Sequence, residues 1–179
     1  LKVKIEEVPE SFKEDKSVEI EGQQAFDFNE EEIKSYEEDQ ELAILNLISV
    51  DKSMFDNDQV YGFLSNYGAI LKNNYFSYQD INGNEIFRVA NALNPGTFDN
   101  DTKTFAIVAA SNLNLTTDPV DAVKQMIEFS VSFSEKFHAS ICDEERAPIT
   151  KQMISHIESR AQDIARIKQV QTSTKKEVE

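Results

Sequence analysis

Between Glu85 and Leu93 bulky and small side chains alternate with a period of two, and the alternation stops at Asn94-Pro95-Gly96. That pattern predicts a β-strand running into a turn, because successive strand side chains point to opposite faces and Pro-Gly ends the ladder. Phe87, Val89, Asn91 and Leu93 form one face, bulky enough to pack under helices. Ile86, Arg88, Ala90 and Ala92 form the other, which ends in two alanines and leaves a shallow depression. A strand packed on one side and hollow on the other predicts a sheet that receives a ligand from outside.

The flanking segments supply the layers. Leu42–Val50 is a strand apolar on both sides, with Leu42, Ile44 and Ile48 on one face and Ala43, Leu45 and Leu47 on the other. A helix follows over about 55–67, with Asp56 at its start and Gly68 suited to the left-handed position past its end. Ile70–Gln79 reads as a second strand, joined to the 85–93 strand through Asn82-Gly83, a pair that tolerates positive φ in a hairpin. Phe105–Leu113 reads as a fourth strand. Asp118-Pro119 opens a long helix whose wide apolar face runs from Val120 to Phe137. Ala139–Asp143 is a short strand, and a final helix begins near Thr150. The order β-α-β-β-β-α-β-α predicts an α+β two-layer sandwich, its sheet mainly antiparallel, with three helices on one face and the other face open.

Domain boundaries follow from charge and apolar density. The 179 residues carry a net charge of −15, and residues 1–40 alone hold 14 acidic and 5 basic side chains. Residues 1–40 are therefore expected to be an acidic flexible linker, 41–170 the folded domain and 171–179 a disordered tail. Within the linker, Val18-Glu19-Ile20-Glu21 alternates as a short edge strand would. So acidic a chain disfavours a nucleic-acid partner and suits one that presents Lys or Arg. Its one cysteine, Cys142, excludes an internal disulfide, and a reducing compartment is the simpler reading. No apolar run approaches the roughly 18 residues that span a bilayer.

Catalytic chemistry finds few candidates. His138 and His156 have no Cys or carboxylate at metal-ligand spacing, and Cys142 has no indicated base partner. The five glycines are not clustered, so no phosphate loop is expected. Asp143-Glu144-Glu145 reads as a solvated acidic turn rather than a cation site, with Asp143 or Glu145 orienting Arg146. Asp99 and Asp101 match a calcium loop only loosely. Neither an enzyme activity nor a cofactor is expected.

Two motifs carry a family resemblance. Ala90-Asn91-Ala92-Leu93-Asn94-Pro95-Gly96-Thr97-Phe98-Asp99 resembles the most recognisable motif of the ZipA C-terminal domain family. Asp143-Glu144-Glu145-Arg146-Ala147-Pro148-Ile149-Thr150 resembles the connection before that domain's last helix. The element order also agrees from about Leu42 to Lys168. The resemblance implies a bacterial cell-division adaptor that binds the C-terminal tail of FtsZ through an apolar groove on its open sheet face, tethering and stabilising Z-ring filaments at the cytoplasmic side of the inner membrane during septation. The implied membrane helix would precede this chain, and the domain is expected to be monomeric. Residues implied for the peptide groove are Leu42 and Ile44 on the first strand, Asn74 and Phe76 on the second, Ala90 and Ala92 on the third, and Asn94 beyond it. On the fourth strand they are Val108 and Ala110, with Ser111 and Leu113 as the other register. Family domains commonly place methionines where Asn74 and Ala92 stand, and a basic residue at Asn94, so this groove should be smaller and more polar. The same face could instead pack against an extra helix or the linker. Two other functions remain open: an RNA-recognition-like sheet using Phe76 and Tyr78, or a small-molecule-binding α+β domain.

Overall fold

A computed structural model describes residues 40–93, 96–99 and 101–178, so the expected linker and Asn94 lie outside the described residues. Six strands, β1 (Leu42–Ser49), β2 (Ile70–Lys72), β3 (Tyr75–Gln79), β4 (Glu85–Asn91), β5 (Ala106–Asn112) and β6 (Ala139–Cys142), form one sheet in the order β2-β3-β4-β5-β1-β6. Every pairing is antiparallel. Helices α1 (Asn57–Tyr67), α2 (Pro119–Phe137) and α3 (Lys151–Val178) complete the α+β two-layer arrangement.

The helix ends are chemically defined. Asp56 accepts a hydrogen bond from the Gln59 amide at the start of α1, and Gly68 ends that helix at φ 101°. Asp118 accepts from the Asp121 amide at the start of α2, where Pro119 occupies the first turn without losing a hydrogen bond. His138 closes α2 in the left-handed region at φ 51° and leads directly into β6.

One side of the sheet carries the main core. Ala43, Leu45 and Leu47 of β1, Phe87 and Val89 of β4, and Ile107 and Ala109 of β5 pack with Val60, Leu64, Met126, Phe129, Phe133, Ala161 and Ile164 of the helices. Aromatic rings bind the layers together. Phe129 lies 5.3 Å from Phe87, 5.2 Å from Tyr67 and 5.9 Å from Phe63, so a single α2 side chain touches the sheet and α1. Such ring pairs add ~0.5–1.5 kcal/mol each to the burial of their area.

Three features differ from the sequence expectation. The expected strand 70–79 is two strands, because Asn73 (φ 47°) and Asn74 (φ 65°) form a two-residue turn between β2 and β3. Both residues sit in the left-handed region, which asparagine enters more readily than most residues. The apolar face of α2 is narrower than expected, since Val120 is 41% exposed. Finally, α3 does not fray near residue 170. It continues through Val178, with each side chain of residues 171–177 exposed.

Two stability predictions follow from the aromatic core and the asparagine turn. Phe129→Ala should cost about 3–5 kcal/mol in denaturant unfolding, the range for a fully buried aromatic. At the turn, Asn74→Gly should leave stability unchanged or raised. Asn74→Val should lower it by at least about 1 kcal/mol, because a β-branched residue is strained at positive φ; equal midpoints for the two variants would contradict the turn assignment.

Candidate functional site

The face opposite the helices is built from even-numbered side chains of three central strands. Register places Ile44 opposite Ala110 and Ala110 opposite Arg88, which faces Ser77 on β3. The next row runs from Asn46 through Val108 to Ala90, and the following one joins Ile48 to Ala106. The Ala92 amide donates to the Ala106 carbonyl, which extends that last row onto β4.

At the centre Ala90, Ala92, Ala106 and Val108 form a second apolar cluster, separate from the main core. Ile44, Ile48, Tyr75, Leu93 and Phe105 pack around it, and among the described residues no helix side chain joins it. Ala90 is nonetheless 0% exposed and Ala106 1%. Their methyl groups are covered by the longer side chains around them, so Ile44, Ile48, Tyr75, Leu93 and Phe105 close over the small residues.

Polar groups frame the depression. Arg88, only 4% exposed, donates through Nε to Glu85 Oε2 at 2.8 Å, and its guanidinium lies 4.3 Å from the centre of the Tyr75 ring. Glu85 Oε1 accepts from Ser77 Oγ at 2.7 Å. Burial pushes the Tyr75 phenol up, and the Arg88 cation partly opposes that shift. On the other side, Asn46 Nδ2 donates to the Asp143 carbonyl at 2.9 Å, which ties the turn after β6 to this face. Asp143 Oδ1 accepts from the amides of Glu145 and Ala147 and holds the turn in shape, with Arg146 at φ 65°. From there Arg146 Nη2 donates to the Ala92 carbonyl at 3.2 Å.

The predicted groove residues divide into two groups. Leu42, Ile44, Ala90, Ala92, Val108 and Ala110 share the open face, and the fourth strand takes the Val108/Ala110 register. Leu113 belongs instead to the main core, and Ser111 aligns with Ala43 on the helix side. Phe76 corrects the expectation: it is 3% exposed and packs under the helical layer, 5.5 Å from Tyr61 and 5.6 Å from Phe98. Asn74 is a turn residue whose carbonyl accepts from the Phe98 amide at 2.7 Å. The β3 residues on the open face are Tyr75 and Ser77. The physical reason is register: an Asn-Asn turn shifts β3 by one residue, and a one-residue shift exchanges the faces of every side chain. Tyr78 also lies on the helix side, 5.6 Å from Tyr67, so the aromatic pair that an RNA-recognition sheet would use is turned inward.

Sequence reasoning also passed over Ile48, Ala106 and the reach of Arg146. Ile48 and Ala106 follow from extending the even-numbered pattern; Arg146 has no local signal, because its contact spans 54 residues. Among the described residues no group of His, Cys, Asp and Glu could hold a metal ion. Cys142 is buried, and that burial raises its thiol pKa, the opposite of what activates a nucleophile. The arrangement offers half-buried apolar side chains, with the Tyr75 ring on the β3 side and the exposed Arg146 bonded to Ala92.

No curated protein matches the chain. A family model described as the ZipA, C-terminal FtsZ-binding domain matches residues 41–160, which takes in all six strands and the start of α3. By that match the chain belongs to the ZipA C-terminal FtsZ-binding domain family.

Proposed function

We propose that this domain is a non-catalytic cell-division adaptor that binds the C-terminal tail of FtsZ on the open sheet face. The observation that carries the reading is the second apolar cluster, Ala90, Ala92, Ala106 and Val108, which lies outside the helical core and is lined by Ile44, Ile48 and Tyr75. Ile44, Ile48, Tyr75, Leu93 and Phe105 around it are half-buried, so their outer edges present apolar surface that a partner can cover. The family match supplies the identity of that partner.

In this reading the tail sets two or three apolar anchors against Ile44, Val108 and Tyr75. Each anchor contributes ~1.5–3 kcal/mol on burial, and ordering a flexible peptide offsets part of the gain. A net of about −7 to −8 kcal/mol corresponds to roughly micromolar affinity. Because the alanines are themselves covered, the tail meets the half-buried side chains of Ile44, Ile48, Tyr75, Leu93 and Phe105 that close over them. Many such weak contacts along a filament give a firm attachment through avidity. The adaptor thereby tethers FtsZ filaments at the cytoplasmic face of the inner membrane during septation. The membrane anchor belongs to the same reading; among the described residues no helix is long and apolar enough to cross a membrane.

Fluorescence anisotropy with a labelled FtsZ tail peptide tests the assignment. Ile44→Asp and Tyr75→Ala should each weaken binding by about tenfold or more, the loss expected from removing one buried anchor contact. Their thermal unfolding should stay close to that of the unaltered domain, since both side chains lie outside the main core. Phe76→Ala should behave differently and lower stability, as a buried core aromatic does. Tail binding unaffected by both open-face variants would place the site elsewhere.

A further inference from the structure

A second surface lies at the edge of the sheet. The last strand, β6, pairs with β1 only over Asn46–Ser49, and the chain then turns away at Asp143. Among the described residues the first half of β1 is therefore paired on its β5 side alone. The Leu113 amide donates to the Glu41 carbonyl and the Ser49 amide to the Phe105 carbonyl, so odd-numbered backbone groups of β1 point toward β5. Even-numbered groups point the other way. Asn46 and Ile48 spend theirs on β6, whereas the N–H and C=O of Leu42 and Ile44 have no backbone partner among the described residues.

Those four groups open into a cleft of about 810 Å³ between β1 and the first turns of α3. Its apolar lining includes Leu42, Ile44, Ile149, Met153 and Ile157. One wall is the Asp143-Glu144-Glu145 turn, and no Lys or Arg lines the cleft. A salt bridge between Arg160 and Glu41 lies beside it, joining α3 to the residue that precedes β1. Free strand-edge groups beside an apolar floor are the requirements for adding a strand: the main chain supplies hydrogen bonds and alternate side chains enter pockets.

We infer that the free edge of β1 and this cleft bind a short extended segment of a partner protein, apolar over three or so residues and followed by Lys or Arg. The apolar residues lie beside Leu42 and Ile44 on one side and Met153 and Ile157 on the other. The cationic residues reach the carboxylates of Glu144 and Glu145, both exposed. Charge selects this occupant over the chain's own residues 1–40, whose 14 acidic and 5 basic side chains are repelled by the same turn. The surface is distinct from the alanine-floored depression, although Leu42 and Ile44 border both.

The test uses the full chain and a synthetic probe, Ac-Thr-Val-Ile-Val-Lys-Lys-NH2, followed by amide chemical shifts and hydrogen exchange. The probe should shift the Leu42 and Ile44 amides and slow their exchange. A probe with Pro in place of Ile, which removes one backbone donor, should do neither, and a Glu-Glu ending should bind far more weakly. The Glu144→Lys/Glu145→Lys variant should lose about tenfold in affinity at low salt, with folding unchanged because both residues are exposed. Tyr75→Ala should leave probe binding intact while it weakens the FtsZ tail, so the two readings fail separately. The inference is overturned if the probe leaves Leu42 and Ile44 unmoved, if Tyr75→Ala abolishes its binding, or if the charge-reversed variant binds it equally well. It is likewise overturned if those two amides already exchange slowly without probe, which would mean that the edge is covered.

Discussion

The contact between the α2 aromatics and the odd-numbered side chains of the sheet is the constraint from which the remaining arrangement follows. Phe129 is in ring contact with Phe87 of β4, Tyr67 and Phe63 of α1, and Phe133 of its own helix. A set of rings that large can be buried on only one side of a six-stranded sheet. The helices are drawn to that side, and the strands are held with Leu45, Leu47, Phe87, Val89 and Ile107 beneath them. Because strand side chains alternate, fixing the odd positions of β1, β4 and β5 under the helices commits their even positions to the opposite face, while β3 has the reverse parity with Phe76 and Tyr78 inward. The composition of that opposite face is then free to serve something other than stability.

Much of this was legible from residues alone, and the reason is that the long elements are locally consistent. The alternation in β4, the two-sided apolar pattern of β1 and the Asp118-Pro119 start of α2 each point to one structure, which the coordinates contain. The candidate face was legible on β1 and β4 for the same reason; on β5 the resemblance left two registers open, and pairing with β1 and β4 decides between them. It was misread on β3, where Asn73-Asn74 looked like strand interior but forms a turn. Five residues with no long periodic stretch cannot fix their own register, and pairing with β4 decides it: Phe76 aligns with Val89 and so joins the core. The long-range bond from Arg146 to Ala92 was beyond any local pattern.

The placement of charge separates the two surfaces of interest. On the open face the buried Arg88 is engaged by Glu85 and stacked on Tyr75, so its cation is compensated before any ligand arrives. Burying a charge is tolerated when it is paired and hydrogen-bonded, and the network with Ser77 satisfies Glu85 as well. The depression beside it is therefore mainly apolar in character. The turn after β6 differs, since Asp143 spends one carboxylate oxygen on backbone amides while Glu144 and Glu145 stand in solvent. One surface is apolar with its buried charge paired, and the other carries exposed carboxylates.

Size supplies the remaining step. Ala90, Ala92, Ala106 and Ala110 in the middle of the open face contribute little dispersion or burial energy of their own to the free domain. Larger residues there would fill the depression and pack against Ile44 and Tyr75, stabilising the unbound state and leaving a partner less area to cover. None of the four alanines is more than 7% exposed, so the surrounding side chains already close over them, and a partner's contacts fall on those side chains. The arrangement keeps the cost of leaving the face unoccupied low, and it limits what any single tail can gain.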